Sequence, residues 1–161
     1  MKKQLKAEEI PPAEAQIESF IARFDMANAA LIRSARSLLW EQFPSAIEQV
    51  YDNYNFLAIG FCTTERTSDC MFSLAASAKG VSLSFYYGAN LPDPHRVLLG
   101  SGNQNRFLRL ESEATLRQPE VQELLAAAVF HAKSPLASSG GGYSMVKSIS
   151  AKQRPRRSDG A

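Results

Sequence analysis

Apolar side chains recur with two spacings along this chain, and the change near residue 45 separates two kinds of structure. Before it, they return every three or four positions, which predicts helices with one apolar face. The first stripe consists of Ile17, Phe20, Ile21 and Phe24. A second stripe contains Leu31, Leu38 and Leu39. Its helix should end at Phe43, because a residue that precedes proline is disfavoured in the α conformation.

From residue 47 onward the apolar period falls to two, which predicts β-strands. In the clearest case, Val81, Leu83 and Phe85 alternate with serines at the positions between them. We expect five strands, at Ile47–Asp52 and at residues 55–62, 69–76, 81–87 and 106–111. An apolar face opposite a face of small or polar side chains is typical of an antiparallel sheet that helices cover on one side.

A last helix and two polar ends complete the predicted organisation. Pro119 suits the first turn of a helix, and Val121, Leu124 and Leu125 follow with helical spacing. From residue 134 the chain has little to bury, which predicts a disordered basic tail over residues 134–161. We expect a mobile lead-in over residues 1–12 and one domain over residues 13–133. The order of elements predicts an α+β fold: a two-layer sandwich of one mainly antiparallel sheet of about five strands, with the N- and C-terminal helices on one face.

The length and composition of the chain limit the classes of protein to which it can belong. The 161 residues suit a single domain, and they contain no apolar run of about 18 residues, so we expect no membrane partner. The lysines near the start precede no apolar segment, so we expect no secretory signal. Two cysteines provide no disulfide framework, which favours the cytoplasm. The net charge of +2 arises in the tail, because the five basic residues there outnumber one acid.

Several runs of residues resemble the YdhG-like family of domains of unknown function. They are YDNYNFLAIGF at residues 51–61, TERTSD at 64–69, GANLPDP at 88–94, and LLGSG at 98–102 followed by Arg106. The basic run at residues 147–157 is similar to the end of some members. The resemblance implies an α+β sandwich that has been compared with frataxin, an iron chaperone. It therefore implies a non-enzymatic small binding or carrier domain of unknown cofactor, for which weakly bound iron is the candidate. Because most members have no assigned activity, no catalytic residue can be carried over.

Iron of this kind would require a surface of acidic oxygen ligands. Glu14 and Glu18 lie one helical turn apart and are the candidates, although an ordinary solvated helix face is the favoured interpretation of such residues. His95 and His131 have no neighbour at the spacing of zinc ligands, so we expect neither to bind zinc. A catalytic serine arrangement is equally unsupported, because no nucleophile motif is present.

The loop before the fifth strand is a candidate anion site. Its residues are Gly100, Ser101, Gly102 and Arg106. Glycines allow backbone N–H groups to approach an anion, and an arginine can bind it through two parallel hydrogen bonds. In the alternative, the glycines only shape a turn while Arg106 pairs with a carboxylate such as Asp93.

The open face of the sheet is a second candidate site, for an unknown protein, a small ligand or a second copy of the chain. Strand parity places Met71, Ser73, Ser82, Ser84 and Tyr86 on this face. In the fifth strand the same parity places Phe107 and Arg109 there, and aromatic rings with arginine are enriched at binding surfaces. In the alternative, the loop over residues 88–105 covers this face and buries Phe107.

Two further features have both a functional and an ordinary interpretation. Cys62 and Cys70 flank a short loop and could form a redox pair, but without CxxC spacing they are more typical of buried thiols. The basic tail could contact nucleic acid or an acidic partner. Its basic residues between Lys147 and Arg157 have no aromatic side chain among them for base stacking, so an inert extension is the simpler interpretation. We expect nucleic acid to bind no other part of the chain.

Overall fold

The computed structural model describes residues 12–158, so the lead-in predicted for residues 1–12 lies almost wholly outside the described residues. The helices are α1 (Ala13–Ile21), α2 (Met26–Gln42), α3 (Glu113–Arg117) and α4 (Pro119–Phe130). The strands are β1 (Ile47–Asp52), β2 (Leu57–Cys62), β3 (Cys70–Ser77), β4 (Gly80–Phe85), β5 (Arg106–Arg109) and β6 (Tyr143–Ile149). In this part of the chain, no helix has the length and apolar character needed to cross a membrane.

These strands form one sheet in the order β5-β4-β3-β2-β1-β6. The pairs from β1 to β5 are antiparallel, as the short connections between β1, β2, β3 and β4 favour, whereas β6 pairs with β1 in parallel. The predicted α+β two-layer architecture is confirmed, with a mixed sheet of six strands in the described residues in place of about five.

The helices begin where the sequence provides capping groups. The Asp25 carboxylate accepts a hydrogen bond from the Asn28 backbone N–H at 2.9 Å and so caps α2. Ser112 caps α3 in the same way, and Pro119 occupies the first turn of α4. The core between the helices and the sheet is rich in aromatic rings, among which Phe72 packs against both Phe61 and Phe85.

The prediction of a disordered tail is wrong for much of its length, because β6 lies within it. None of the β6 side chains is fully buried, so the strand has no apolar signature in the sequence. Its backbone hydrogen bonds to β1 hold it instead. At its start the Gly142 N–H donates to the Pro44 carbonyl at 2.7 Å, and a Cβ atom at position 142 would lie only 1.9 Å from the Ala46 carbonyl oxygen. This close approach of two backbones requires glycine.

Two buried carboxylates on β1 bind side chains from the helical region and from the tail on the helix-covered face of the sheet. Glu48 is fully buried and accepts hydrogen bonds from Arg36 at 2.6 and 2.9 Å and from the Ser144 hydroxyl at 2.5 Å. Asp52 is 1% exposed and pairs with Arg23, two residues after α1, and with Arg156 from the tail. Buried charges are tolerated only when paired in this way, so α2 and the described part of the tail both depend on β1.

Candidate functional site

The two glutamates predicted to bind iron are engaged in ion pairs. Arg36 donates to both carboxylate oxygens of Glu14, at 3.0 and 2.7 Å, and this hydrogen bonding lowers the pKa of Glu14. Glu18 pairs with Arg33 at 3.0 Å. Among residues 12–158, no three His, Cys, Asp or Glu side chains lie close enough together to hold a metal ion. Carboxylates neutralised by arginine are poor ligands for a cation, so these residues do not fit an iron site.

The predicted anion loop is closed by its own arginine. Arg106 Nη1 donates to the backbone carbonyls of Gly102, at 2.6 Å, and Asn105, at 2.9 Å. The expected alternative partner, Asp93, accepts instead from the N–H groups of Val97 and Leu98, each at 3.0 Å. Carbonyl oxygens therefore face the guanidinium of Arg106, and an anion would have to displace them.

The open face of the sheet is concave because its centre carries small side chains. One cross-strand row joins Gly60, Ser73 and Ser84, and the next joins Ala58, Ala75 and Ser82. The structure thus places the predicted Ser73 and Ser84 side by side on β3 and β4. Large side chains stand at the edges of these rows, so the rows form the floor of a depression.

Aromatic and polar side chains enclose this depression as a cavity of about 290 Å³. None of the described residues that line it carries a formal charge. They are Gln49, Tyr51, Phe56, Ala58, Gly60, Cys62, Thr67, Cys70, Ser73, Ala75, Ser84, Tyr86 and Asn105. We refer to this space as the open-face cavity.

A hydrogen-bond network fixes one wall of the open-face cavity. The fully buried Gln49 donates through Nε2 to the carbonyls of Thr64 and Arg66, at 2.9 and 3.1 Å, which holds the β2–β3 turn against β1. Its Oε1 accepts from the Tyr51 hydroxyl at 2.8 Å, and that hydroxyl also lies 2.7 Å from Thr67 Oγ1. Burial raises the pKa of Tyr51, so its phenol is neutral at physiological pH.

The opposite wall is formed by the segment that leads into β5. The Ser84 hydroxyl donates to the Asn105 side-chain carbonyl at 2.8 Å, which ties β4 to this segment. Tyr86 lines the cavity beyond the end of β4 and packs edge-on against Tyr87. Both walls are therefore positioned by contacts to the sheet, as expected for a preformed pocket.

Phe107 and Arg109 lie on the predicted face but outside the open-face cavity. Phe107 is paired with Ser84 in register and is half-buried, because residue Leu99 forms two backbone hydrogen bonds to it at 2.7 and 3.0 Å. The loop over residues 88–105 thus covers part of this edge of the open face. This agrees in part with the alternative in which that loop buries Phe107. Arg109 donates to the Lys79 carbonyl at 3.1 Å.

The parity prediction is wrong at Met71, which is buried at 4% exposure on the side of α4, next to Ala128. Cys70, predicted to face the core, lines the open-face cavity. The pairing of β2 with β3 shifts register between Phe61 and Cys62, and such a bulge reverses the facing of nearby side chains.

The wall formed by Gln49, Tyr51 and Phe56 is absent from the site predicted by the sequence. Strand parity in β1 contains the signal, since Gln49 and Tyr51 alternate with Glu48, Val50 and Asp52. The signal is obscured because two of the helix-facing residues are charged and look like surface positions.

Comparison of the chain with protein-family models, with curated proteins and with solved structures finds no match. The resemblance to the YdhG-like family accordingly stays an expectation.

Proposed function

We propose that this chain is a non-enzymatic binding domain that holds a neutral, ring-containing small molecule in the open-face cavity. The observation that carries the proposal is a cavity of about 290 Å³ whose described lining residues are uncharged. Its size is close to the lower end of the roughly 300–1,000 Å³ typical of ligand pockets. A carrier role would also agree with the expected likeness to the YdhG-like family.

The lining of the cavity indicates the chemistry of its ligand. Tyr51, Phe56 and Tyr86 provide aromatic surface against which a flat ring can pack edge-on or offset. Ser73 and Thr67 offer hydroxyl groups that can donate or accept a hydrogen bond. A charged ligand would be desolvated without a counter-charge, which is costly, so we expect discrimination against it.

An iron-related function has weaker support, because Glu14 and Glu18 are held by arginines. An interaction module is the second candidate, since Phe56 lines the cavity and is 40% exposed at its rim. A partner protein would then insert a neutral side chain into the same cavity. Both candidate functions therefore require an uncharged group to occupy the open-face cavity.

Two ligands that differ only in charge test the proposal. We expect benzamide to shift the amide NMR signals of β2, β3 and β4 in a saturable manner, and benzoate to do so at least about tenfold more weakly. A matched pair of variants locates the site. Ser84→Phe fills the cavity, whereas Ser82→Phe places the same ring on the same face of β4 outside the lining.

Loss of benzamide binding in Ser84→Phe with retention in Ser82→Phe is the expected result. Equal binding by both variants, or shifts confined to the helix-covered face, would contradict the proposal. A self-association that only Ser84→Phe abolishes, without benzamide binding, would favour the interaction module.

A further inference from the structure

The two cysteines lie next to each other in the floor of the open-face cavity. Cys62 and Cys70 are register partners in the antiparallel pair of β2 and β3, and both are free thiols. A Cβ atom at position 60 would lie 3.1 Å from Cys70 Sγ and 3.7 Å from Cys62 Sγ. The two sulfur atoms therefore lean over the same point of the backbone, where Gly60 leaves room for them.

We propose that Cys62 and Cys70 form a redox-modified site, in which a peroxide converts the two thiols into a reversible cross-strand disulfide. Cys62 and Cys70 remain paired just beyond the register shift of β2 and β3. Opposite residues of a regular antiparallel pair have Cα atoms roughly 4.5–5.5 Å apart, within the roughly 4.4–6.8 Å that a disulfide spans. The bond can thus form without separating the strands.

Exposure assigns different parts to the two sulfur atoms. Cys70 is partly exposed and lines the cavity, so a small peroxide can reach it, whereas Cys62 is only 1% exposed. A hydrogen bond with Cys70 and burial raise the pKa of the Cys62 thiol far above its usual range. Cys70 is therefore the residue that reacts first, and Cys62 is the one that resolves the product.

The reaction balances with hydrogen peroxide as the oxidant. The Cys70 thiolate attacks one peroxide oxygen, an S–O bond forms, the O–O bond breaks, and the departing hydroxide takes up a proton to become water. The Cys62 sulfur then attacks the Cys70 sulfur, its proton passes to the departing hydroxyl group, and a second water leaves. Two thiols are oxidised to one disulfide as one peroxide is reduced to two waters. A dithiol reductant reverses the change.

The bond would alter the open-face cavity, because both sulfur atoms belong to its lining. This consequence rests on the proposed ligand function, whereas formation of the disulfide does not. We expect the oxidised protein to bind benzamide several-fold more weakly than the reduced protein, since the sulfur atoms are drawn together over Gly60 and cease to adapt to a ligand.

Trypsin provides a direct test, because Arg66 lies between the two cysteines. Cleavage there places Cys62 and Cys70 in separate peptides, so a disulfide appears as one linked pair. After brief treatment of the native full chain with hydrogen peroxide, we expect the intact mass to fall by two hydrogens and the linked pair to appear. Reduction should restore two separate peptides and the original mass.

Two serine variants identify the order of reaction. Cys62→Ser should leave Cys70 to gain oxygen atoms, whereas Cys70→Ser should leave Cys62 unmodified under the same treatment. Wild-type protein that gains oxygen at Cys70 without a linked pair, that stays unmodified, or that links only between two chains would overturn the proposal. A linked pair with unchanged benzamide binding would retain the redox site and remove its effect on the cavity.

Discussion

Strand β1 carries charged side chains on one face of the sheet and uncharged side chains on the other. On the helix-covered face, strand β1 carries two buried carboxylates, Glu48 and Asp52, and each is paired with arginine. On the open face the same strand carries Gln49 and Tyr51, which line an uncharged cavity. Charge in this protein fastens the helices and the tail to the sheet. The floor of the open-face cavity is built from small, uncharged side chains that leave space, and space without charge is suited to a neutral ligand.

The largest effect should follow from removing the tail. A chain that ends at Lys133 lacks β6 and Arg156, so the β1 edge loses its parallel neighbour and Asp52 loses one of its two cations. We expect a loss of about 4 kcal/mol or more in the free energy of unfolding, or loss of cooperative unfolding. Urea denaturation followed by circular dichroism measures it. A midpoint equal to that of the full chain would show that the tail contributes nothing to the helix-covered face.

The next largest loss in the free energy of unfolding should follow from Arg36→Ala. Glu48 would be left fully buried with only the Ser144 hydroxyl as a partner, which typically costs about 3–5 kcal/mol. Arg33→Ala is the matched control on the same helix, because its pair with Glu18 is exposed and should be worth less than about 1 kcal/mol. Equal losses in the free energy of unfolding of both variants in urea would contradict the expected difference between a buried and an exposed ion pair.

Arg156→Ala should have a smaller effect, of about 2–3 kcal/mol, because Asp52 keeps its pair with Arg23. Arg157→Ala serves as the control, since its side chain is exposed and donates to a backbone carbonyl. Thermal unfolding of the two variants side by side measures the difference. A loss of stability in Arg157→Ala as large as that in Arg156→Ala would show that any positive charge in the tail has this effect.

The smallest effect concerns pH. Arg36 lowers the pKa of Glu14 below its ordinary value of 4.5, so the ionised form is favoured in the folded state. The stability that this pair contributes is therefore present above pH 4.5 and is lost as the pH falls through the folded pKa. Glu14→Gln should be slightly less stable than wild type at pH 7, and the difference should shrink below pH 4.5. A difference that grows on acidification would have the wrong sign.

Periodicity predicts most of the fold, because most elements bury an apolar face. Strands β1 to β5 and helices α1, α2 and α4 lie where the spacing of apolar residues predicts them, with ends shifted by a few residues. Strand β6 is not predicted by periodicity, because its half-exposed side chains carry no such spacing and its partner β1 is far away in sequence. Contacts formed by backbone and by buried ion pairs leave little trace in a hydrophobic pattern.

The candidate site is predictable in part for the same reason. Parity places Ser73, Ser84 and Tyr86 on the open face, where the structure has them lining the cavity. Cys70 and Met71 each face the side opposite to the one that strand parity predicts, because the register of β2 and β3 shifts near them. No local sequence pattern reveals that shift. Gln49 and Tyr51 are hidden because their helix-facing neighbours in β1 are charged, and only the pairing with arginines explains why those neighbours are buried.

Intermolecular nuclear Overhauser effects from benzamide provide the sharpest test of the proposal that a neutral ring occupies the open-face cavity. We expect contacts from the ring protons to the methyl groups of Ala58 and Ala75 in the cavity floor, and their loss in Ser84→Phe. Contacts from the ring to Ala22, which lies in the arginine-lined groove near the tail, or to no methyl group at all, would contradict it.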